Sequence, residues 1–198
     1  KTTLAKQING LLRPASGRVL VDGLDTRSTP VPQLARKAGY VFQNPDHQIF
    51  APTVYEEIAF SLRVQGYGKE ETAERTTEAL AAHQLLEFAQ APPALLGSGQ
   101  RRQVALAAVL ATQPGALILD EPTGGLDRAS RTEMMGHVMR FHAAGGAVIL
   151  ITHDMRLVAE YAGRVAVLAG GPGALPVPGA PRAETGLPQP FCLGARHG

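Results

Sequence analysis

The sequence contains one cysteine, Cys192, among its 198 residues. A lone cysteine can form neither a disulfide within the chain nor a cysteine-based metal cage, so both are excluded as sources of stability. Long apolar runs are missing as well, because the longest, residues 104–111, falls far short of the ~20 residues that span a bilayer. We therefore expect any membrane role to come through a partner protein.

Charge of either sign is also in short supply. Charged residues make up 18% of the chain, hydrophobic residues make up 44%, and the formal net charge is +2. This balance is typical of a globular domain rather than a disordered chain. A nucleic-acid-binding surface requires a strongly basic face, so we expect no nucleic-acid partner. The length suffices for one domain with a hydrophobic core and an inserted subdomain.

Three apolar runs in the second half of the chain are rich in β-branched residues, namely residues 116–119, 147–151 and 165–168. They do not alternate with polar residues, which is typical of strands buried on both faces of a parallel sheet. Residues 128–144, between the first two runs, are long enough to form the crossover helix that parallel strands require. The pattern predicts an α/β fold.

The first half of the chain mixes short strands with a helix. Residues 2–12 predict a helix, residues 18–22 predict an exposed antiparallel strand that ends in a turn at Gly23, and residues 38–42 predict a further strand.

Two larger segments depart from this pattern. Residues 53–111 are helical in pattern and rich in glutamate up to about residue 96, so we interpret them as a helical subdomain inserted into a domain of residues 1–169. Residues 170–198 are dominated at first by glycine, proline and alanine without periodicity, which predicts an irregular tail.

One predicted strand, residues 117–119, leads directly into two carboxylates, Asp120 and Glu121. Ligands in open α/β folds bind at the carboxyl ends of the strands, so both side chains are candidates for a nucleotide site. Asp120 could hold Mg²⁺ through water, and Glu121 could polarise a water that attacks a γ-phosphate. The alternative is a strand that ends in a solvated acidic turn, and these residues alone do not decide between the two.

His153 follows the next predicted strand, residues 147–151, so we expect it to lie near Glu121 on the same edge of the sheet. A single histidine is more often structural than functional. Its position at the end of the neighbouring strand nevertheless favours a role in the site.

Lys1, Thr2 and Thr3 precede the first predicted helix. Lys1 and Thr2 match the end of the phosphate-binding pattern G-x-x-x-x-G-K-[ST], whose lysine contacts the β- and γ-phosphates and whose hydroxyl binds Mg²⁺. A helix N-terminus also favours an anion. On this interpretation we expect that the sequence begins within the phosphate-binding loop. The alternative is a helix with a basic first residue.

A glycine-rich turn, Gly97-Ser98-Gly99-Gln100, opens a predicted helix that extends to residue 111. Such a helix N-terminus is a natural site for a phosphate group.

In their order along the chain, these segments resemble the ATP-binding subunits of ATP-binding-cassette (ABC) transporters, over residues 1–168. The matching elements are the end of Walker A at Lys1 and Thr2, the Q-loop at Gln43, the signature at residues 96–100, Walker B with the D-loop at residues 117–127, and the switch histidine at His153. The stretch Asn44-Pro-Asp-His-Gln48 most resembles ATPases of energy-coupling-factor and cobalt/nickel importers.

The resemblance implies a P-loop NTPase with a RecA-like core, a small antiparallel β subdomain and an inserted helical subdomain. It also implies that the protein is an ATPase with ATP and Mg²⁺ as cofactors. The implied catalytic residues are Glu121, His153 and Gln43, and the implied metal ligands are Thr2, Gln43 and Asp120. The implied nucleotide-binding residues are Lys1, Thr2, Thr3, Gly97, Ser98, Gly99, Gln100 and Asp127.

The signature departs from the family pattern Leu-Ser-Gly-Gly-Gln, because Gly97 and Ser98 stand in the reverse of the usual order. The hydroxyl is displaced by one residue, and a Cβ stands where the backbone normally approaches phosphate closely. We expect a functional but weakened signature.

The resemblance also implies partners. The chain would pair head to tail with a second ABC ATPase subunit, identical or different, on the cytoplasmic face of the cell membrane. A transmembrane coupling subunit and a substrate-binding membrane subunit would use the energy to take up cobalt, nickel or a vitamin. One alternative is a non-transport ABC ATPase of translation or DNA maintenance, which usually carries a second cassette or a coiled-coil insertion. The other is a truncated, inactive assembly partner.

Overall fold

The computed structural model describes residues 1–167 and the backbone of residues 192–193. Its helices are α1 (Thr2–Ile8), α2 (Val31–Lys37), α3 (Val54–Val64), α4 (Lys69–Ala82), α5 (Ser98–Leu110), α6 (Arg128–Ala143) and α7 (Met155–Tyr161). Its strands are β1 (Leu20–Val21), β2 (Leu24–Asp25), β3 (Ala38–Val41), β4 (Ala116–Asp120), β5 (Ala147–Ile151) and β6 (Cys192–Leu193). Single 3₁₀ turns form at Pro45–His47, Leu86–Phe88 and Pro93–Leu95.

Two predictions concern the C-terminal residues and the lack of a membrane-spanning segment. Residues 170–198, predicted as an irregular tail, lie outside the described residues apart from β6, a two-residue strand parallel to β1 where no regular structure was predicted. Within the described part of the chain, no helix is both long enough and apolar enough to cross a lipid bilayer.

The centre of the fold is a parallel sheet in the order β3-β4-β5. On one face, Leu117 and Leu119 of β4 pack in a core with residues of α5, α6 and α7. On the other face, Ala116 and Ile118 pack in a core with residues of α1, α2 and β1. Helices on both faces of a parallel sheet confirm the predicted α/β class, and the predicted strands at β4 and β5 are confirmed with it.

The antiparallel strand predicted at residues 18–22 is confirmed as a short hairpin of β1 and β2, but the prediction that it is exposed is wrong, because Val21 packs in the core and is 2% exposed. Val21 pairs with Leu24 across a two-residue loop, Asp22-Gly23. Both loop residues have positive φ, 50° and 77°, as a type I′ turn requires, and aspartate and glycine are among the residues that tolerate this conformation.

Helices α3, α4 and α5 pack around a separate apolar core that includes Ile58, Leu80 and Val104. Helix α3 begins at Thr53, whose hydroxyl accepts a hydrogen bond from the backbone N–H of Glu56 at 3.1 Å and so caps the helix. These helices fill most of the stretch predicted as the inserted helical subdomain. Treating that stretch as a distinct subdomain stays our proposal.

The third predicted strand, residues 165–168, is wrong in its described part. Residues 165–167 form no strand, and Val165 and Val167 are 41% and 51% exposed. An apolar run favours burial, but a strand also needs a neighbour to satisfy its backbone hydrogen bonds. Among the described residues β5 pairs only with β4, so β5 is an edge that is half-buried rather than fully buried.

A pair of stacked imidazoles joins the helical layer to the sheet core. His83, directly after α4, and His137 of α6 are 4% and 5% exposed, with ring centroids 3.9 Å apart and ring planes 11° from parallel. His83 Nδ1 donates to Gln103 Oε1 at 3.1 Å, and Arg140 Nη2 donates to His137 Nδ1 at 2.7 Å. The second contact requires a free lone pair, so His137 is neutral.

Both imidazoles resist protonation. Burial, the neighbouring His83 and the Arg140 guanidinium lower the pKa of His137 to about 4. Burial is also the main cause that lowers the pKa of His83. Because an unfolded histidine titrates near 6.5, the unfolded chain binds more protons than the folded chain as the pH falls below about 6.5.

We therefore predict that the free energy of unfolding is at its full value above pH 6.5 and falls toward pH 4. Each proton taken up only by the unfolded chain contributes a slope of up to about 1.4 kcal/mol per pH unit. The change His137→Phe keeps an aromatic ring beside His83 but removes one titrating group, so it should flatten this slope in urea denaturation at pH 7, 6 and 5. The exposed Met139 of the same helix provides the control, since Met139→Phe adds a ring without removing a titrating group and should leave the slope unchanged. An unaltered slope in His137→Phe would contradict the assignment.

Candidate functional site

The carboxyl end of β4 places a carboxylate in a nearly dry environment. Asp120, the last residue of β4, is 2% exposed. Its Oδ2 accepts a hydrogen bond from the hydroxyl of Tyr40 on β3 at 3.0 Å, whereas its Oδ1 is buried and has no hydrogen-bond partner among the described residues. Burial, followed by the contact with Asp120, raises the pKa of Tyr40 well above its usual range, so the phenol stays protonated and donates.

A buried carboxylate oxygen without a donor is costly unless a cation or a water satisfies it. No three histidine, cysteine, aspartate or glutamate side chains within the described residues come together as a metal site. A metal ion at Asp120 would therefore take its other ligands from hydroxyl, amide, water or phosphate oxygens. Such an oxygen set, with few carboxylates, suits Mg²⁺.

Glu121 turns sharply away from the strand that precedes it. Its φ is +48°, a left-handed conformation that costs a non-glycine residue free energy. Its backbone N–H still donates to the carbonyl of Ile151 at 2.8 Å, which keeps the residue at the end of β5. Its carboxylate receives two bonds, from His153 Nδ1 at 2.8 Å and from the Thr152 hydroxyl at 3.3 Å. The structure thus brings Glu121 and His153 together as expected from the parallel strands.

Lys1 lies at the same edge of the sheet. Its Nζ donates to the carbonyl of Thr152 at 2.9 Å, and α1 begins at the next residue, Thr2. Thr152 therefore connects the amine of Lys1, through its carbonyl, with the carboxylate of Glu121, through its hydroxyl. An ammonium group, a helix start, a carboxylate and an exposed imidazole (His153 is 83% exposed) surround one edge. Thr3, also predicted to bind nucleotide, is exposed on the first turn of α1.

Gln43 lies two residues after β3, at the same end of the parallel sheet as Asp120. Its side chain is exposed and makes no hydrogen bond within the described residues, so the structure does not join it to Glu121. The nearby Gln48 is bound instead, since its Oε1 accepts from the backbone N–H of Phe42 and its Nε2 donates to the carbonyl of Ala105, both at 3.3 Å. The segment after β3 is thereby attached to α5.

The glycine-rich turn forms the start of α5, apart from the Lys1 and Glu121 cluster. Gly97 is the N-cap residue and supplies no side-chain cap, while Gln100 Oε1 accepts from the backbone N–H of Gly97 at 3.0 Å. Ser98 is exposed on the first turn. A Cβ at Gly99 would lie 3.3 Å from Ser130 Oγ, so this position tolerates little side-chain volume.

Asp127 has a structural function that is visible directly. Its carboxylate accepts from the backbone N–H of Ser130 at 2.8 Å and caps α6, and this bond lowers the pKa of the Asp127 carboxyl. Its predicted contact with nucleotide stays a prediction.

Sequence reasoning missed three residues of the site, namely Tyr40, Thr152 and Arg102. Thr152 stands between β5 and His153, and a hydroxyl in that position could have been noticed. Tyr40 and Arg102 reach Asp120 and the Glu121 turn from distant parts of the chain, and no local pattern marks them.

Comparisons with known proteins identify a matching family and several relatives. A sequence model of the ABC transporter family matches residues 1–124. A putative ABC transporter ATP-binding protein of Caldanaerobacter subterraneus subsp. tengcongensis is 49% identical over 171 residues, which cover 86% of this chain and 30% of that protein. An energy-coupling factor transporter ATP-binding protein of Symbiobacterium thermophilum is 46% identical over 174 residues, which cover 86% of this chain and 60% of that protein. The chain thus spans less than two thirds of the length of these curated relatives.

Two solved structures have a similar fold. One is CbiO1 from Clostridium perfringens, part of the ABC transporter complex CbiONQ, with a TM-score of 0.69 and 35% identity, covering 79% of this chain and 64% of that one. The other is a bacterial ABC transporter cassette solved as a dimer, with a TM-score of 0.71 and 29% identity, covering 80% of this chain and 72% of that one.

We predict that Tyr40→Phe destabilises the fold. The change leaves Asp120 Oδ2 buried without its donor, which typically costs about 1–3 kcal/mol. Urea denaturation measures the loss in the free energy of unfolding. Tyr55→Phe is the matched control, since the Tyr55 hydroxyl makes no hydrogen bond within the described residues. Equal stability losses in the two variants would show that the Tyr40 hydroxyl contributes nothing specific.

Proposed function

Because this chain belongs to the ABC transporter family and has its P-loop NTPase fold, we propose that it binds and hydrolyses ATP as the nucleotide-binding subunit of an ABC transporter. The observation that carries the proposal is the carboxylate of Glu121, held by His153 and Thr152 beside Lys1 at the carboxyl edge of the sheet. Phosphoryl transfer needs a charge-compensated pocket for phosphates and an acceptor for the proton of the attacking water.

The phosphates would lie at the start of α1. Lys1 supplies an ammonium group, and Thr2 and Thr3 begin the helix whose N-terminal N–H groups favour an anion. Mg²⁺ fits beside them, because three groups can supply oxygen ligands. They are Asp120 Oδ1, which has no hydrogen-bond partner among the described residues, the hydroxyl of Thr2 and the amide oxygen of Gln43. When bound, Mg²⁺ would neutralise charge on the phosphates.

Glu121 is the residue suited to accept a proton. Its carboxylate is mostly buried and already accepts two hydrogen bonds, so it is fixed in direction. Because a carboxylate only accepts, His153 carries its proton on Nδ1 and uses that proton to orient Glu121. The rest of the His153 ring is exposed and free to contact a γ-phosphate.

The start of α5 supports a shared site between two subunits. Gly97 and Ser98 are exposed at this helix start, Gly99 and Gln100 are half-buried, and none of the four makes a hydrogen bond to Lys1 or His153 within the described residues. We propose that this start and Asp127 serve ATP held by a second ABC ATPase subunit, identical or different. The reversed Gly97 and Ser98 leave the N-cap without a side-chain oxygen, which is the physical basis for a weakened signature.

The relatives support a proposal for the membrane partners. We propose a peripheral location on the cytoplasmic face of the cell membrane, with a transmembrane coupling subunit and a substrate-binding membrane subunit. The energy-coupling factor relative from S. thermophilum and the CbiONQ component from C. perfringens support a complex of the energy-coupling-factor type. We propose cobalt, nickel or a vitamin as its substrate on the resemblance of residues 44–48 to such importers.

We predict that Glu121→Gln, in the complete protein with its partners, lowers kcat for ATP hydrolysis by about 10²-fold or more. Glutamine keeps the size of the side chain but cannot accept a proton, so ATP affinity should change little. Phosphate-release assays and titration calorimetry measure the two quantities. Glu78→Gln, on the exposed face of α4, is the control and should turn over normally. Undiminished turnover in Glu121→Gln would remove Glu121 from the proposed role.

We further predict that affinity purification of the complete protein from solubilised membranes recovers a polytopic membrane subunit. Mass spectrometry identifies the partners, and recovery of a second, different ATPase would show that the two cassettes are unlike. Recovery of ribosomal or DNA-maintenance proteins in place of a membrane subunit would favour the non-transport alternative.

A further inference from the structure

Arg102 contacts the backbone of the Glu121 turn from another part of the fold. It lies on the second turn of α5, and its Nη1 donates to two successive carbonyl oxygens, that of Glu121 at 3.2 Å and that of Pro122 at 2.8 Å. The side chain is half-buried, and burial lowers the pKa of its guanidinium. Among residues 1–167 it has no carboxylate within ion-pair distance. The two carbonyl oxygens partly compensate the charge of this half-buried guanidinium.

The turn that Arg102 binds has few other bonds. Glu121 has the left-handed φ of +48°, and the next residue, Pro122, has no N–H to donate. The Glu121 carbonyl accepts one weak backbone bond, from Gly124 at 3.3 Å. A Cβ at Gly124 would lie 4.0 Å from Arg102 Nη2, so the guanidinium lies next to the turn.

The direction of the Glu121 side chain depends on this backbone. A change from left-handed to right-handed φ would redirect the Cα–Cβ bond and remove the carboxylate from His153 and Thr152. The Arg102 guanidinium binds the carbonyls of Glu121 and Pro122. As a charged donor, it opposes this change of φ more strongly than a neutral donor would.

We propose that Arg102 is a positioning residue for Glu121. By binding the Glu121 and Pro122 carbonyls, it holds Glu121 in the left-handed conformation that directs the carboxylate to His153 and Thr152. The inference rests on the proposed ATPase function for its catalytic consequence, but the contact itself does not. It also joins the start of α5, where Gly97 and Gln100 lie, to the carboxylate of Glu121 in the same chain.

The adjacent arginine shows that this contact is specific. Arg101 points elsewhere, since its guanidinium pairs with Asp46 at 3.2 Å and donates to the carbonyl of Leu96 at 2.6 Å. The two basic residues therefore form no shared basic patch, and only Arg102 reaches the Glu121 turn.

The kinetic test compares Arg102→Met and Arg102→Lys in the complete protein. Methionine keeps much of the aliphatic stem and removes the donors, so kcat for ATP hydrolysis should fall by about 10- to 100-fold while KM for ATP changes by less than about twofold. Lysine restores one charged donor without the planar fork and should recover part of kcat. Arg75→Met is the matched control, because Arg75 is a half-buried arginine of α4 that pairs with Glu71 and stacks on Tyr67. A raised KM with an unchanged kcat, or a kcat equal to that of the parent, would overturn the proposal.

A stability cycle tests the contact without reference to catalysis. Glycine adopts a positive φ at little cost, so the Glu121→Gly chain no longer needs Arg102 to hold the turn. Arg102→Met should lower the urea concentration at the unfolding midpoint less in the Glu121→Gly background than in the parent. Should the Arg102→Met chain not fold, Arg102→Lys provides the same comparison. Equal losses in both backgrounds would refute the positioning role. If the parent hydrolyses no ATP, the proposed function fails while this cycle still decides the role of Arg102.

Discussion

Strand β4 is hydrogen-bonded on both sides, and all five of its residues are buried between two helical layers. A strand in this position cannot shift by one residue, because a shift would exchange the side chains of its two faces. Its last residue, Asp120, is therefore held in the dry interior even though it carries a charge. The positions of the other candidate residues follow from this strand, since β3 carries Tyr40 beside it and β5, on its other side, ends directly before Thr152 and His153.

The electrostatics of the site follow from the same burial. Asp120 receives one neutral donor, from Tyr40, and keeps one oxygen free, so its charge is only partly compensated. The neighbouring Glu121 receives its donors from Thr152 and His153 at the surface. Two adjacent carboxylates thus differ in their surroundings, because Asp120 keeps one buried oxygen without a donor and Glu121 is held by two donors.

Much of this arrangement could be predicted from the sequence. Parallel strands bring their carboxyl ends to one edge, so the positions of Asp120, Glu121 and His153 after two apolar runs were enough to place them together. Side chains that reach across the fold could not be predicted, because Tyr40 and Asp120 are 80 residues apart in the chain. The strand predicted at residues 165–168 fails for a related reason: apolar composition indicates burial, but it does not supply the neighbouring strand.

Helix α5 contacts several separate parts of the fold through hydrogen bonds. It begins at the glycine-rich turn, its Arg102 binds the Glu121 turn, and its Gln103 accepts from His83 of the stacked histidine pair. The carbonyl of Ala105 on the same helix accepts from Gln48, after β3. Because a helix is rigid along its axis, a ligand that displaces the start of α5 must also displace these contacts or break them. Under the proposed function, the helix would therefore link a partner-bound nucleotide to the Glu121 turn through Arg102.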